Sequence, residues 1–166
     1  MGRKLLAASL TTGLSLLITP LALGEQNLFI WNRTDSAPRG LYLKQSVPPQ
    51  RGDWTLLSSS SETARWIASH GYIAHDWPIV KRVAGVSGDE ICRDRTWILV
   101  NGDIAAKAQI HDGLSQELPI WRGCFVLKTD EVFLLNDHPM SLDGRYFGAE
   151  KRSDLLGSAK LIWRSS

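Results

Sequence analysis

The chain has 166 residues, a net charge of +2, 43% hydrophobic and 22% charged side chains, which suits one ordinary domain with its own core. So small a charge argues against a nucleic-acid-binding surface. Two cysteines without a CxxC exclude a thioredoxin-like redox motif and a Cys-rich zinc site.

Residues 1–24 differ from the rest. Arg3 and Lys4 come first, and no charge follows until Glu25. At about 1.5 Å per residue, the apolar stretch Leu5–Leu23 nearly crosses a hydrocarbon core of roughly 30 Å. The early positive charges favour a cytoplasmic N-terminus. Ala22-Leu23-Gly24 after Pro20 also fits the cleavage region of a secretory signal. A membrane anchor and a cleaved signal therefore both stand, and both place residues 25–166 outside the cytoplasm as one domain. In that compartment Cys92 and Cys124 read as a disulfide, or as two buried thiols that never meet.

Past Gly24, short extended runs dominate: Leu28–Trp31, Ile79–Val86, Trp97–Val100, Phe125–Leu127, Val132–Leu135 and Ala159–Trp163. Turn signals separate them at Val47-Pro48-Pro49, Arg51-Gly52-Asp53, Ser87-Gly88-Asp89 and Asn101-Gly102-Asp103. One helix is expected over Ser60–His70, with Ala64, Ile67 and Ala68 on one face and Ser59 or Ser60 as its cap. The expectation is a mostly-β domain with one or two short helices. Trp31, near the end of the apolar run, suits a lipid interface.

Three polar constellations lie among these elements. Ser36 follows the first strand, in turn-like sequence restrained by Pro38. Thr34, two residues earlier, offers a hydroxyl beside the Ser36 backbone N–H, the kind of pair that can hold an oxyanion. Asn32-Arg33-Thr34 also matches a glycosylation acceptor, read as coincidence because a glycan there would block the cleft. In Ile79–Ala84, period two puts Lys81 on one face with Ile79 and Val83, and Arg82 on the other with Val80 and Ala84. Burial drives an ammonium toward its neutral form, whereas Arg stays charged, so Lys81 is the candidate base. An edge strand with two snorkelling cations is the plainer reading of that segment. Ser141, Asp143 and Arg145 form the third group. None of the four histidines marks a Ser-His-Asp triad, although sequence does not exclude one.

Thr34–Pro38 with Gly40-Leu41-Tyr42, Lys81–Asp89 and Ser141–Gly148, in that order, resemble the nucleophile, base and C-terminal boxes of the signal peptidase I superfamily of Ser/Lys proteases. Ala37 and Leu135-Asn136-Asp137-His138-Pro139 depart from the usual signal peptidase pattern and bring the likeness nearer to the TraF-type peptidases of conjugative plasmid transfer. The resemblance implies a signal-peptidase-like antiparallel β-domain with Ser36 as nucleophile and Lys81 as general base. It implies that Ser141 orients Lys81, that Asp143 pairs with Arg145 or helps position the base, and that Thr34 and Ser36 form the oxyanion hole. A structural turn is the rival role for Ser141, Asp143 and Arg145. The implied setting is the inner membrane with the peptidase domain facing the periplasm, and the implied partner is a pilin or other membrane-associated precursor, cleaved or cyclised without a metal or organic cofactor. A general signal peptidase and a catalytically silent β-domain that scaffolds pilus assembly are the competing functions.

Overall fold

The computed structural model describes residues 28–165; the apolar run over residues 1–24 lies outside them. The described chain folds as two antiparallel sheets. The larger has seven strands in the order β1-β2-β11-β3-β4-β9-β10, and the smaller has four in the order β7-β6-β5-β8. In the larger sheet these are β1 (Phe29–Asn32), β2 (Gly40–Gln45), β3 (Trp54–Leu57), β4 (Ile79–Gly85), β9 (Glu131–Leu134), β10 (Ala149–Lys151) and β11 (Leu155–Arg164). The smaller holds β5 (Glu90–Asp94), β6 (Trp97–Val100), β7 (Asp103–Lys107) and β8 (Gly123–Val126). Two short helices, α1 (Glu62–Ser69) and α2 (Gly144–Phe147), complete the fold with a 3₁₀ turn at Arg152–Asp154.

Each extended run expected from the sequence overlaps a strand. The helix is one turn shorter than expected, and its cap is Ser61 rather than Ser59 or Ser60. Ser61 Oγ accepts the Ala64 N–H at 3.0 Å. Ser60 is exposed, its hydroxyl paired with Ser58 at 2.7 Å, while Ser61 is buried at the point where the chain turns helical.

Strand β4 lies inside the larger sheet, between β3 and β9, and explains the arrangement of the core. Its inward residues on one face, Ile79 and Val83, pack with Leu57, Val132, Leu134 and Ile67 of α1. Val80, on the other face, packs with Ile30, Ala37, Tyr42, Leu56 and Ala159. Apolar side chains stabilise each layer by leaving water, at about 25 cal/mol per Å². The chain then bends through Ser87-Gly88-Asp89 into the smaller sheet. Asp89 locks that bend by accepting the Val86 N–H at 2.7 Å, Asn101 Nδ2 at 2.9 Å and Arg51 Nη2 at 2.7 Å. Burial pushes its carboxyl up, but these donors outweigh that and hold it down at about 2.

Cys92 and Cys124 face each other across β5 and β8 and form a disulfide. The inward side of β5 is joined to the region around the third polar constellation. Arg93 Nη1 donates to the Arg145 carbonyl at 2.7 Å, and Trp121 Nε1 donates to the Gly144 carbonyl at 3.0 Å. Gly144 itself has no room for a side chain, since a Cβ there would lie 2.6 Å from Phe133 Cε2 and 2.7 Å from the Leu134 carbonyl oxygen.

Candidate active site

The loop between β1 and β2 carries Thr34 and Ser36, and one side chain shapes it. Buried Asn32, the last residue of β1, sends Nδ2 to the carbonyls of Thr34 (3.0 Å), Ala37 (3.0 Å) and Pro38 (3.1 Å). Its Oδ1 accepts the Thr34 N–H at 3.2 Å and the Thr34 hydroxyl at 2.9 Å. An asparagine offers donor and acceptor on one planar group, which lets it satisfy the backbone of a tight loop. With its amide nitrogen thus engaged and buried, Asn32 serves the loop. Tyr42 adds a hydrogen bond to the Pro38 carbonyl at 2.9 Å, and Asp35 pairs with Arg39 at the surface at 2.6 Å.

The Thr34 and Ser36 hydroxyls lie 3.1 Å apart. Because Thr34 spends its proton on Asn32, Ser36 is the donor in that pair. The Ser36 backbone N–H makes no hydrogen bond among the described residues. It therefore stays available to a developing negative charge, and a small rotation of the Thr34 hydroxyl from Asn32 would supply a second donor.

Lys81 occupies the position that strand periodicity implies. It sits between Ile79 and Val83, is 2% exposed, and its Nζ donates to Ser141 Oγ at 3.1 Å. That is its one hydrogen bond to a side chain among the described residues. Burial pulls its ammonium down from 10.5 to about 8. Asp143 and Glu150 hold it up, and Arg145 lowers it further. Arg82, one residue on, is exposed; it donates to the Gly52 carbonyl at 3.0 Å and lies over Trp54. The two adjacent cations are thus separated by the strand's alternation.

Asp143 and Arg145 are both fully buried and form a two-pronged ion pair, Nε to Oδ1 at 2.7 Å and Nη2 to Oδ2 at 3.1 Å. The carboxylate also accepts the N–H of Arg145 at 3.2 Å and of Asn136 at 3.0 Å. Arg145 reaches the carbonyls of Asn136 and Pro139 as well. Asp143 therefore makes no hydrogen bond to Lys81 and acts on it through charge. Ser141 alone of the third group touches the lysine.

The sequence reading named Asn136 only within the segment that departs from the signal peptidase pattern, and its bonding role escaped that reading. Its side chain continues the β4–β9 pairing beyond the last strand residue, accepting from Arg82 N at 2.9 Å and donating to the Val80 carbonyl at 3.2 Å. It thereby brackets Lys81 and ties the strand to Asp143. The signal present in the sequence was an Asn at the end of an apolar run, four residues after Val132.

A cavity of about 240 Å³ brings together Thr34, Ser36, Lys81 and Ser141 with the apolar side chains of Ile67, Tyr72, Ile73, Ile79, Met140 and Leu142. No hydrogen bond links Ser36 to Lys81; they meet across this cavity. On the far side of Ser36, a more polar cleft is lined by Asp35, Arg39, Trp54, Asp137 and Arg164. His138 borders both spaces. Its Nδ1 accepts the Met140 N–H at 3.2 Å, so the neutral ring carries its proton on Nε2 and has no lone pair to offer Ser36.

The family model for signal peptidase, peptidase S26, matches residues 3–164. The chain belongs to the signal peptidase S26 family. Among relatives of this family member, two plasmid transfer proteins TraF of Escherichia coli are each 30% identical to it. One aligns over 136 residues, 75% of this chain and 77% of the relative, and the other over 138 residues, 75% and 76%. Among solved structures, a signal peptidase I of Enterococcus faecalis is 19% identical, with a TM-score of 0.41 over 69% of this chain and 98% of the other.

Proposed function

We propose that this S26 family member is a membrane-attached serine endopeptidase in which Ser36 is the nucleophile and Lys81 the general base. The observation that carries the reading is Lys81: a lysine buried among apolar neighbours, anchored on Ser141 and opening on the cavity that holds Ser36. A lysine so placed is neutral in a useful fraction of molecules at mildly alkaline pH, which is what a base requires.

In the proposed reaction, neutral Lys81 Nζ takes the Ser36 hydroxyl proton as Oγ attacks the scissile carbonyl. The oxyanion is met by the Ser36 N–H and the Thr34 hydroxyl. Collapse of the tetrahedral intermediate breaks the C–N bond, and the Lys81 ammonium returns its proton to the departing amine. The resulting ester is then opened by water or by an amine of the substrate itself, with Lys81 again taking the proton. Ser141 orients Lys81, and the Asp143–Arg145 pair holds the segment that carries Ser141.

The substrate we propose is a pilin or other membrane-associated precursor used in conjugative transfer, the reading favoured by the likeness to plasmid transfer proteins. The proposed setting is the inner membrane with the domain in the periplasm. The apolar run over residues 1–24, the Cys92–Cys124 disulfide and an exposed aromatic face support it. On that face Trp31 and Trp163 stack at 5.2 Å beside exposed Phe29, where the described chain begins; aromatic side chains of this kind suit the headgroup layer. Co-expression of the full chain with candidate pilin precursors, read by mass spectrometry of the product, tests the function. A shortened or water-depleted product with the wild type and unprocessed precursor with Ser36→Ala are expected. Equal processing by Ser36→Ala would remove Ser36 from the reaction.

A further inference from the structure

Tyr72 belongs to neither the strands nor the three polar segments, yet it forms part of the wall of the apolar cavity beside Ser36 and of a second, adjoining cavity of about 470 Å³ that runs past Ile73 and Ile79 to Trp77 and Pro78. Its ring is stacked at 6.1 Å on Trp66 of α1, and Trp66 meets Phe147 of α2 edge-on at 5.2 Å. The backbone on either side is fixed to the end of α1, with Gly71 N donating to the Ala68 carbonyl at 3.0 Å and Tyr72 N to the Ile67 carbonyl at 3.2 Å. What remains to be fixed is the swing of the ring. The Tyr72 hydroxyl donates to Asp112 Oδ2 at 2.5 Å, across 40 residues of chain.

Asp112 is built to receive it. Its Oδ1 caps its own loop, taking the N–H groups of Leu114 and Gln116 at 2.8 Å each. Its backbone N–H donates to the Gln116 carbonyl at 2.9 Å. That division leaves Oδ2 for a partner outside the loop. Burial and the Asp112 charge push the Tyr72 hydroxyl up to about 12, so it keeps its proton, and its role as donor, throughout the working range of a lysine base.

We propose that Tyr72, pinned by Asp112, is a specificity-determining residue: its ring is a fixed wall that limits the size of the apolar substrate side chain admitted next to Ser36. The inference rests on the endopeptidase reading above. With the hydroxyl gone, only apolar packing, on Trp66 and the core around Ile67 and Ile79, holds the ring. It can then turn aside into the adjoining cavity, and bulkier apolar side chains fit.

The test uses the full chain in detergent with a peptide library made from a digested cell extract, the residue before each new cut being read by mass spectrometry. The wild type is expected to cut after small apolar residues. Tyr72→Phe keeps the ring and removes the anchor, and Tyr72→Ala removes the wall. Both are expected to raise the ratio of cuts after Leu, Met and Phe to cuts after Ala by about tenfold, the discrimination that a methylene provides in a well-formed pocket. Cuts after Ala should persist, since a merely structural loss would lower all cuts together. An unchanged ratio in Tyr72→Phe overturns the proposal while leaving the endopeptidase reading intact. No Ser36-dependent cutting by the wild type overturns both.

Discussion

Ser36 sits in a loop open to solvent, whereas Lys81 sits in a strand, 2% exposed, and meets solvent and substrate only at the cavity it shares with Ser36. The loop is held mainly by the side chain of Asn32, and Thr34 beside Ser36 is exposed. The base is enclosed by saturated groups: Ser141 on its nitrogen, Asn136 bracketing its strand, and Asp143 and Arg145 satisfying each other and the backbone around them. The proposed nucleophile needs access and donors within reach, the Ser36 N–H and, after rotation, the Thr34 hydroxyl. The proposed base needs dryness, because desolvation is what lowers its pKa. The two halves therefore fail in different ways when altered.

The largest effects separate chemistry from stability. Ser36→Ala should lower processing by about 10⁴-fold or more, as loss of a nucleophile does in serine proteases, with an unchanged melting temperature. Lys81→Met should be as inactive, yet more stable. The folded pKa of Lys81 is about 8 and its unfolded value 10.5, so the penalty for keeping it buried grows as pH falls through that window and is fully present below about 8. Its removal should therefore raise stability at pH 7 by about 2 kcal/mol, after discounting the lost bond to Ser141. The gain should disappear near pH 10.5. Denaturant melts at pH 7 and pH 10.5 check this, and a Met variant destabilised at both would show that Lys81 contributes to the fold through contacts.

Breaking the buried pair comes next. Arg145→Met strands the Asp143 carboxylate and should cost about 3 to 5 kcal/mol. Asp143→Asn should also destabilise, but it carries a second readout. Asp143 holds the Lys81 pKa up, so in Asp143→Asn the alkaline midpoint of kcat/KM should move below the wild-type value near 8. If the surviving activity keeps its midpoint, charge from Asp143 does not reach the base.

On the exposed half, Thr34→Val should lower the rate by roughly 3 to 4 kcal/mol of transition-state stabilisation without a change in that midpoint, while Thr34→Ser should work. A shifted midpoint in Thr34→Val would mean that the two halves are not independent.

The buried half was the more legible in sequence. Lys81 was legible because strand periodicity sets one of two adjacent cations against apolar neighbours, only a lysine can give up its charge there, and the segment resembles the base box of the Ser/Lys proteases. Runs such as Trp97–Val100 were visible for the same reason, being dense in β-branched and aromatic residues. Strand β5, with Glu90, Arg93 and Asp94 among its five residues, and β2, embedded in the Ser36 segment, did not read as strands. Their sequences mix charge and glycine, and only neighbouring strands decide their state. The bonding roles of Asn32 and Asn136 were invisible because their partners are backbone carbonyls and N–H groups, which every residue possesses. Whether Asp143 bonds the lysine or Arg145 was likewise open until the turn into α2 placed Arg145 beside it.

The smallest expected effect comes from a group outside both halves. Glu150, on β10, is buried near Thr63; burial pushes its carboxyl up to about 7, against the Thr63 hydroxyl. At the alkaline pH where Lys81 titrates, Glu150 is mostly ionised, and its charge is the weakest of the influences that shift the lysine. Glu150→Gln should therefore lower the kcat/KM midpoint by only a few tenths of a pH unit, less than Asp143→Asn. Its effect on stability has its own sign. A carboxyl whose pKa is raised in the fold stabilises below its unfolded value of 4.5, and that contribution is lost as pH rises through about 7. Glu150→Gln should thus be more stable than the wild type well above pH 7, by about 3 kcal/mol, and no more stable at pH 4. A midpoint shift larger than that of Asp143→Asn would place Glu150, rather than the Asp143–Arg145 pair, as the dominant charge acting on the base.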